Sequence, residues 1–482
     1  MDGNTDLSSD LRDSLREHRG QQSSSSGTIV LDSEEGYVGD EVTVRGRNLP
    51  ASQEFHVIWH TVDGEWGVLE ANKVIGPQYS PRTEGILTLT TDEDGKFDAT
   101  FEVPTDYGGS HAIELQRPDG SSVARTEFEV RPWFEIDETE AELGDFFTVR
   151  GYGIGPNPVM NNYQVAWDNG TVGYMTGVMN NGTATAQIRA VGPPGKHDFR
   201  VWRSYRGFPF LQTPTQSPYG PVGGDRQVNW TVEVTEPESP PETAWTDPHL
   251  DEEPLPVHYP EIDEDTDAEL DVTPSSGTPG TEVFITGKNF PPGEAVNLVW
   301  HRHEGKRIEG TPITPEPKYD VLPTVETDSD GSFRVEVEIQ PDIGGTRPIT
   351  AEVGGKSVAI TGFMMQAEAL DISPTQVAPG EKVEIKIQGV GWTLYENTIF
   401  FDVDNKMLGY VCGNAAEDPA GTIHTEIRAP WETGWHFVDV YPSVFEMGDE
   451  EPDFECKPHL SYLDNHPVRP LGAHHFAFEV VE

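Results

Sequence analysis

Two Asp-rich segments are the first candidates for chemistry in this sequence. Asp-Glu-Asp-Gly begins at Asp92 and Asp-Ser-Asp-Gly begins at Asp328, so Asp92, Asp94, Asp328 and Asp330 offer carboxylates that could bind Ca²⁺. A calcium loop needs further oxygen ligands at regular offsets and a closing Glu, and neither segment supplies them. Because Asp tolerates left-handed backbone and Gly supplies positive φ, both segments are typical of β-hairpin turns. We therefore favour turns over metal sites and expect no cofactor.

A second candidate metal site lies near the C-terminal end, where histidine is concentrated. Cys456, His459, Asp464 and His466 are close in sequence, but no C-x-x-C or H-x-x-x-H spacing accompanies them. His474 and His475 are neighbours on an expected strand, so they should point to opposite faces and cannot bind one ion. A structural role is favoured for the six histidines of this region, which are His424, His436, His459, His466, His474 and His475.

Cys412 and Cys456 are the only two cysteines of the chain. In an oxidising exterior they could form a disulfide that closes a loop of about 45 residues and contributes about 4 kcal/mol of stability. Two unpaired thiols are the alternative, because spacing alone does not show proximity. We favour the disulfide.

Three Asn residues match the acceptor pattern for N-glycosylation. They are Asn169, Asn181 and Asn229, each followed two residues later by Thr. Asn-Gly is also a strong hairpin signal, so Asn169 and Asn181 could simply lie in turns. Glycosylation applies only if the chain is exported.

Catalytic motifs are not found in the sequence. There is no G-x-S-x-G nucleophile elbow, no Gly-rich phosphate loop and no H-E-x-x-H zinc motif. Pairs of carboxylates occur often, but in a chain with 83 acidic residues their proximity carries no information. We therefore predict that the protein is not an enzyme.

The charge of the chain restricts its partners. Against 83 Asp and Glu there are 32 Lys and Arg, which gives a formal net charge of −51. Such a surface repels nucleic acid and anionic membranes, whereas concentrated salt screens its self-repulsion. Eleven Trp, 21 Phe and 14 Tyr are too many aromatic residues for a disordered acidic chain. We predict a folded protein of a halophile that binds neither nucleic acid nor the membrane interior.

An internal duplication organises the chain. VGDEVTVRGRNLPASQEFHVIWH from Val38 returns as PGTEVFITGKNFPPGEAVNLVWH from Pro279. WDNGTVGYMTG from Trp167 likewise corresponds to VDNKMLGYVCG from Val403. Two copies of a two-module unit follow, with these boundaries: tail 1–27, disordered or briefly helical; module A 28–131; module B 132–234; an acidic Pro-rich linker 235–269; module A′ 270–365; and module B′ 366–482.

Each module is expected to be one β-sandwich. Seven short runs of alternating apolar residues occur in module A, and Gly and Pro separate them. Trp59, Trp167 and Trp300 should lie in the cores, each on the third strand. Module B′ has Val403 in place of that Trp, so Phe401 should help to fill the space. The predicted fold is all-β, with four tandem immunoglobulin-like sandwiches.

One stretch resembles a known family. VTPSSGTPGTEVFITGKNFPPGEAVNLVW, residues 272 to 300, resembles the opening strands of IPT/TIG-like immunoglobulin domains of microbial surface proteins, and TDSDGSF from Thr327 resembles their later hairpin. The acidity favours a haloarchaeal source. The resemblance implies a stalk, spacer or adhesive module, and it specifies fold rather than activity.

These observations predict a surface-exposed structural or adhesive protein, extracellular or on the cell surface. Its partner would be a protein or polysaccharide surface, bound through long loops such as Ser204–Gly224 and Ser443–Pro470, and a homo-oligomer is left open. Caps packed on their own sheets are the alternative for these loops. The N-terminus lacks the features of a secretory signal as written. A virion component, such as a fibre, turret or tail appendage of a virus of a halophile, is therefore the alternative function.

Overall fold

The structure is a computed structural model. It describes residues 27–68, 74–157, 161–204, 228–247, 262–263, 266–304, 316–391, 398–412, 420–443, 446–447, 452–453, 458–465 and 472–482. The predicted N-terminal tail and the loop at 205–224 lie outside these residues. The chain divides into two compact units, one of Met1–Gly67, Val74–Glu236 and Phe445–Pro467, and one of Val68–Lys73, Pro237–Val444 and Val468–Glu482.

Unit 1 contains modules A and B, with eight strands each. The strands of module A are β1 (Thr28–Leu31), β2 (Glu35–Gly36), β3 (Glu41–Arg47), β4 (Glu54–Val68), β5 (Val74–Thr90), β6 (Phe97–Glu102), β7 (Gly109–Gln116) and β8 (Ser122–Val130). Those of module B are β9 (Trp133–Ile136), β10 (Glu140–Glu142), β11 (Phe146–Tyr152), β12 (Asn162–Trp167), β13 (Gly170–Met175), β14 (Ala184–Arg189), β15 (Gly195–Ser204) and β16 (Val228–Thr235).

Modules A′ and B′ repeat this order of strands. The strand β17 (Ala244–Thr246) lies in the sequence between the two duplicated halves. Module A′ contains β18 (Glu269–Thr273), β19 (Ser276–Gly277), β20 (Glu282–Lys288), β21 (Ala295–Glu304), β22 (Glu316–Glu326), β23 (Phe333–Glu338), β24 (Gly345–Val353) and β25 (Lys356–Met365). Module B′ contains β26 (Glu368–Ser373), β27 (Gln376–Val377), β28 (Lys382–Gln388), β29 (Thr398–Val403), β30 (Lys406–Cys412), β31 (Ile423–Arg428), β32 (Gly434–Pro442) and β35 (His474–Val480). Between β32 and β35 the chain contributes β33 (Glu446–Met447), β34 (Pro452–Asp453) and the helix α1 (Tyr462–Asn465) to unit 1.

All four modules share one topology. A three-stranded sheet, such as β1-β3-β6, faces a five-stranded sheet, such as β2-β8-β7-β4-β5, and in module B′ β17 adds a sixth strand to the larger sheet. In each module the short second strand pairs in parallel with the last strand, as β2 does with β8 and β27 with β35. The chain of each module thus passes from the smaller sheet to the larger one between its first two strands, which is an immunoglobulin-like arrangement. The predicted all-β class with four immunoglobulin-like sandwiches is confirmed.

Alternating side chains fill the cores. In β3 every second residue is buried, and β20 and β28 repeat that alternation at the corresponding positions. Trp59, Trp167 and Trp300 are all buried. In module B′, Phe401 belongs to the core cluster and Val403 packs against it, so the smaller residue leaves space that the aromatic neighbour helps to fill.

The two modules inside each unit meet at a glycine that no other residue could replace. Gly108 donates its N–H to a carbonyl of module B at 3.1 Å, and a Cβ on it would lie 1.9 Å from the Gly153 oxygen. Gly344 repeats the contact in the second unit, where a Cβ would lie 2.3 Å from the Gly389 oxygen. Because real Cβ atoms do not approach a carbonyl so closely, the duplicated glycines hold each pair of modules in close contact.

Two segments differ from the predicted domain boundaries. Part of the predicted acidic Pro-rich linker 235–269 forms β17, which pairs with β35 in the large sheet of module B′. Trp245 of this strand packs on the ring of His475, with 4.2 Å between centroids, which explains why an acidic Pro-rich segment contributes a strand. Phe445–Pro467 was assigned to module B′ but belongs to the compact unit of modules A and B.

Candidate functional site

The Asp residues of the predicted turns bind their own backbone. Asp92 Oδ1 accepts the N–H groups of Asp94 at 2.9 Å and Lys96 at 2.7 Å. Asp330 Oδ1 accepts the N–H of Ser332 at 3.2 Å and its hydroxyl at 2.6 Å. Within the described residues, no three His, Cys, Asp or Glu side chains are grouped closely enough to hold a metal ion. The carboxylates are therefore placed as hairpin turns require.

The other predicted sites fall partly outside the described residues. Cys456 lies outside them, and nothing is described of the Cys412 side chain at the end of β30, so the disulfide stays a prediction. Asn169 and Asn181 both have positive φ, of 66° and 45°, as turn residues do, and Asn229 lies in β16. Glycosylation of these three residues stays a prediction.

Each A-type module buries one carboxylate beside its tryptophan. The indole N–H of Trp59 donates to Asp106 at 2.7 Å, and the hydroxyl of Thr61 donates to the other oxygen at 2.8 Å. In module A′ the indole N–H of Trp300 donates to Asp342 at 2.7 Å. A buried carboxylate requires such donors, and both acids are almost completely buried. Their role is to complete the core rather than to meet a ligand.

Each B-type module carries a histidine bound by an Asp. His197 Nδ1 is 2.5 Å from Asp168, and His436 Nδ1 is 2.7 Å from Asp404. The Nε2 atom of each ring is 2.8 Å from a carbonyl oxygen four residues earlier. Burial alone lowers the pKa of His436, but the hydrogen bond and the charge of Asp404 outweigh it and raise the pKa. When its ring is protonated, His436 can donate one hydrogen bond to Asp404 and another to the backbone oxygen.

A row of buried titratable side chains crosses the large sheet of module B′. His475 lies between two carboxylates, with Nδ1 2.7 Å from Asp439 and Nε2 3.1 Å from Asp247. Asp439 pairs in register with His475 on one side and with Asp402 on the other, so these three side chains share a face. All four residues are buried. None of these acids stands out in the sequence, because the row is assembled from three strands and the residue that follows β17.

Burial and charge shift the pKa values of this row. Burial alone lowers the pKa of His475, but its hydrogen bonds to Asp247 and Asp439 outweigh burial and raise the pKa. Burial first, and then the charge of Asp439, raises the pKa of Asp402 well above its usual value. Neither oxygen of Asp402 has a hydrogen-bond partner among the described residues. His475 is thus held as a cation, and Asp402 keeps its proton at pH values where an exposed Asp is ionised.

Asp402→Asn should increase stability at neutral pH. Above about pH 4 the unfolded chain loses the Asp402 proton and the folded chain keeps it, so wild-type stability falls by up to about 1.4 kcal/mol per pH unit until the folded pKa is reached. Asn has the shape of the protonated acid and does not titrate. We expect chemical denaturation to give equal stabilities near pH 4 and a more stable variant at pH 7. A variant that is less stable at pH 7 would show that Asp402 is ionised in the fold.

The edge of the large sheet in module B is occupied by a distant segment of the same unit. Strand β13 is an outer strand of its sheet. The N–H of Tyr174 donates to the Pro458 oxygen at 3.0 Å, and the N–H of Leu460 donates to the Tyr174 oxygen at 2.8 Å. The rings of Tyr174 and His459 stack at 5.2 Å between centroids. The segment therefore adds to the sheet edge by backbone pairing in a parallel direction.

Side chains of the segment continue this contact beyond the end of β13. Ser461 Oγ accepts the N–H of Thr176 at 3.1 Å and lies 3.0 Å from His459 Nε2. A serine hydroxyl beside an imidazole is the pairing that a hydrolytic nucleophile uses. Here both side chains are completely buried, so a substrate does not reach them and their role is structural.

The helix α1 fixes the far end of the segment. Asn465 Oδ1 accepts the N–H of Met179 at 2.9 Å, and its Nδ2 donates to the Thr183 oxygen at 2.8 Å. Burial raises the pKa of the neighbouring Asp464 to about 6, although hydrogen bonds with Asn465 and other residues act against the shift. The predicted metal group that contained His459 and Asp464 is thus part of a contact between chain segments. Its remaining members, Cys456 and His466, lie outside the described residues.

Among the residues that the structure describes, no segment pairs with the equivalent edge in module B′, which we call the open edge. In the repeat Gly409 and Tyr410 correspond to Gly173 and Tyr174. A Cβ on Gly173 would lie 2.5 Å from the Pro458 oxygen, whereas a Cβ on Gly409 would meet nothing within 4 Å. Tyr174 is 5% exposed and Tyr410 is 54% exposed. Among the strands that the structure describes, β30 pairs only with β29.

Apolar side chains follow this open edge. Leu408 is 61% exposed, and Met407 is also exposed. Backbone groups next to an exposed apolar strip are what an extended chain needs when it joins a sheet. The edge of β30 is therefore the candidate binding site of the second unit.

Comparison with known proteins identifies no family for this chain. No family model and no curated protein matches the sequence. Among solved structures, an alpha-2-macroglobulin mutant of Salmonella matches with 12% identity and a TM-score of 0.18 over 94% of this chain, which spans 31% of that protein's length. An ectodomain fragment of ICAM-5 matches with 11% identity and a TM-score of 0.17 over 90% of this chain and 99% of the fragment. Such low scores support no conclusion about function.

Proposed function

We propose that this chain is a non-enzymatic structural or adhesive protein, exposed at the surface of a salt-adapted microbe and built from IPT/TIG-like modules. The occupied edge of β13 is the observation that supports this role most strongly. There the fold binds an extended segment through backbone hydrogen bonds and a stacked ring. Sheets commonly bind partner proteins in the same way.

Other features agree with a role in contact rather than catalysis. Asp106, Asp342, His436 and His475 are buried, and each is hydrogen-bonded to other groups of the chain. Glycine contacts hold the modules of each unit together, which suits a stalk or spacer. In the turn between β31 and β32, Trp431 is 80% exposed and offers an aromatic surface to a protein or a polysaccharide.

Fractionation of cells and particles tests this proposal. We expect the protein in the envelope fraction, and we expect protease added to intact cells to remove it. Recovery in purified virus particles instead would support the virion component. Recovery in the cytoplasm, protected from added protease, would contradict both. Within the described residues no helix is long and apolar enough to cross a membrane.

Stability should rise steeply with salt if the protein is salt-adapted. With a formal net charge of −51, repulsion between carboxylates opposes folding until salt shortens the Debye length from about 10 Å at 0.1 M to about 3 Å at 1 M. We expect the thermal midpoint to rise by roughly 10 °C or more between 0.1 M and 3 M KCl. Sucrose, which carries no charge, is the control and should have a smaller effect. A midpoint that is unchanged or falls in KCl would contradict salt adaptation.

A further inference from the structure

The open edge of β30 differs from most of the chain in charge. The strand has the sequence KMLGYVC, with one Lys and no acid, in a chain that carries 83 acidic residues. Its exposed side chains are Met407, Leu408 and Tyr410. A partner that met another part of the surface would have to approach an excess of carboxylates. A partner with the same acid-free strand meets no such excess of carboxylates here.

The equivalent strand in module B shows which backbone groups point outward. Tyr174 uses both its N–H and its C=O to bind the segment that covers β13, so both groups point away from the neighbouring strand β12. Tyr410 occupies the same place in the repeat, one strand from β29. Its N–H and C=O therefore point to the open side. A residue with both groups outward can exchange two hydrogen bonds with its own counterpart across a two-fold axis.

We propose that β30 is the contact surface for a second copy of this chain. The two β30 strands pair antiparallel about Tyr410, each Tyr410 donating its N–H to the other's C=O, and the sheets of two modules join into one. The exposed apolar side chains gather on this contact, and neither strand contributes a carboxylate. A two-fold contact of this kind closes on itself and forms a dimer rather than a filament.

A bulge in the pairing of β29 with β30 does not prevent such a contact. The register shifts between Phe401 and Asp402, and the corresponding strands of module B shift between Val165 and Ala166. The edge of β13 nevertheless accepts a segment at Tyr174. Pairing of β30 applies whether the protein lies on a cell envelope or on a virion, so its test is independent of the proposed location.

Sedimentation velocity of the full chain in 3 M KCl tests the contact. Because the strand is short, we expect a weak dimer, with a dissociation constant on the order of 10 µM. Tyr410→Lys and Tyr410→Glu each place like charges opposite one another, and each should weaken association at least about tenfold. An equimolar mixture of the two variants should recover the dimer, because the opposed charges then attract. Tyr319→Lys, on the outer strand β22, is the control and should dimerise like wild type.

A disulfide across the axis provides a second measurement. Tyr410→Cys in a chain with Cys412→Ser and Cys456→Ser places two thiols on residues whose Cα atoms are about 5.5 Å apart in an antiparallel pair. We expect a disulfide-linked dimer on a non-reducing gel, and Tyr319→Cys in the same background should stay monomeric. A wild-type chain that is monomeric at about 100 µM would overturn the proposal. So would a dimer that persists in both charged variants, or a Tyr410→Cys chain that forms no linked dimer.

Discussion

Gly173→Val should release the segment Pro458–Asn465 from the edge of β13. The Cβ of the new side chain would lie 2.5 Å from the Pro458 oxygen and 2.8 Å from the Leu460 side chain. Since a backbone oxygen cannot move aside without losing its hydrogen bond to Tyr174, the pairing at this edge should be lost. We expect a loss of about 3 kcal/mol in local stability, and hydrogen exchange at the Leu460 amide should be roughly a hundredfold faster.

Gly409→Val is the matched control for this change. It introduces the same side chain at the equivalent position of β30, where a Cβ meets nothing within 4 Å. We expect it to leave exchange at Leu460 unchanged and to cost less than about 0.5 kcal/mol. Slow exchange at Leu460 in Gly173→Val would mean that the segment does not depend on the backbone pairing at β13.

His475→Ala should be strongly destabilising. The imidazolium lies between Asp247 and Asp439, and both carboxylates are buried. Loss of the cation leaves two buried acids that no longer have their shared counter-charge, which typically costs about 3–5 kcal/mol. Denaturation at pH 6 measures this cost, because the stabilisation by a histidine with a raised pKa is complete below about pH 6.5. As the pH rises through the folded pKa of His475, the wild-type chain should lose this stability.

A double-mutant cycle separates the charge from the packing of the ring. Asp439→Asn removes the charge of one of the two acids. The double variant Asp439→Asn, His475→Ala should lose at least about 1 kcal/mol less stability than the sum of the losses in the two single variants. His436→Ala, with Asp404 as its partner, provides a comparison in which only one carboxylate loses its counter-charge. Additive costs for His475 and Asp439 would show that the ion pair contributes little.

The architecture could be predicted because it is encoded in local alternation and in repetition. Alternate apolar residues in β3, β20 and β28 predict one buried face each, and the repeated Trp59 and Trp300 indicate which residues of β4 and β21 face the core. These two strands were predicted as the third of each module and are the fourth, because a two-residue strand precedes them. The two-residue strands, such as β2, were not anticipated, because a pair of residues carries no periodicity. Their pairing depends on the last strand of the module, many residues away.

The candidate site could not be predicted from the sequence, because its parts are distant in the chain. Pro458–Asn465 has no strand pattern, and its contacts with Thr176 and Met179 join residues separated by more than 280 positions. His475 and Asp402 are ordinary residues in sequence and acquire shifted pKa values only when strands align them. Two features of the sequence indicate this segment: the long loop Ser443–Pro470, predicted to bind a partner or to cap its own sheet, and the cluster of Cys, His and Asp after residue 455. The residue types of this cluster suggest a metal site, whereas its described members, His459 and Asp464, lie in the contact between two chain segments.

The hydrogen bond between Thr176 and Ser461 joins residues that are far apart in the chain, so it cannot form until late in synthesis. The ribosome must add 285 residues after Thr176 before the serine that binds it exists. Module B ends with β16 at Thr235, 226 residues before Ser461, so at about 5–20 residues per second its own strands would be complete for roughly 11 to 45 seconds while the edge of β13 had nothing to pair with. Nascent chains on the same messenger RNA could then pair with one another through the unpaired edge of β13. The net negative charge of each chain would keep neighbouring chains apart until the segment that contains Ser461 has been synthesised.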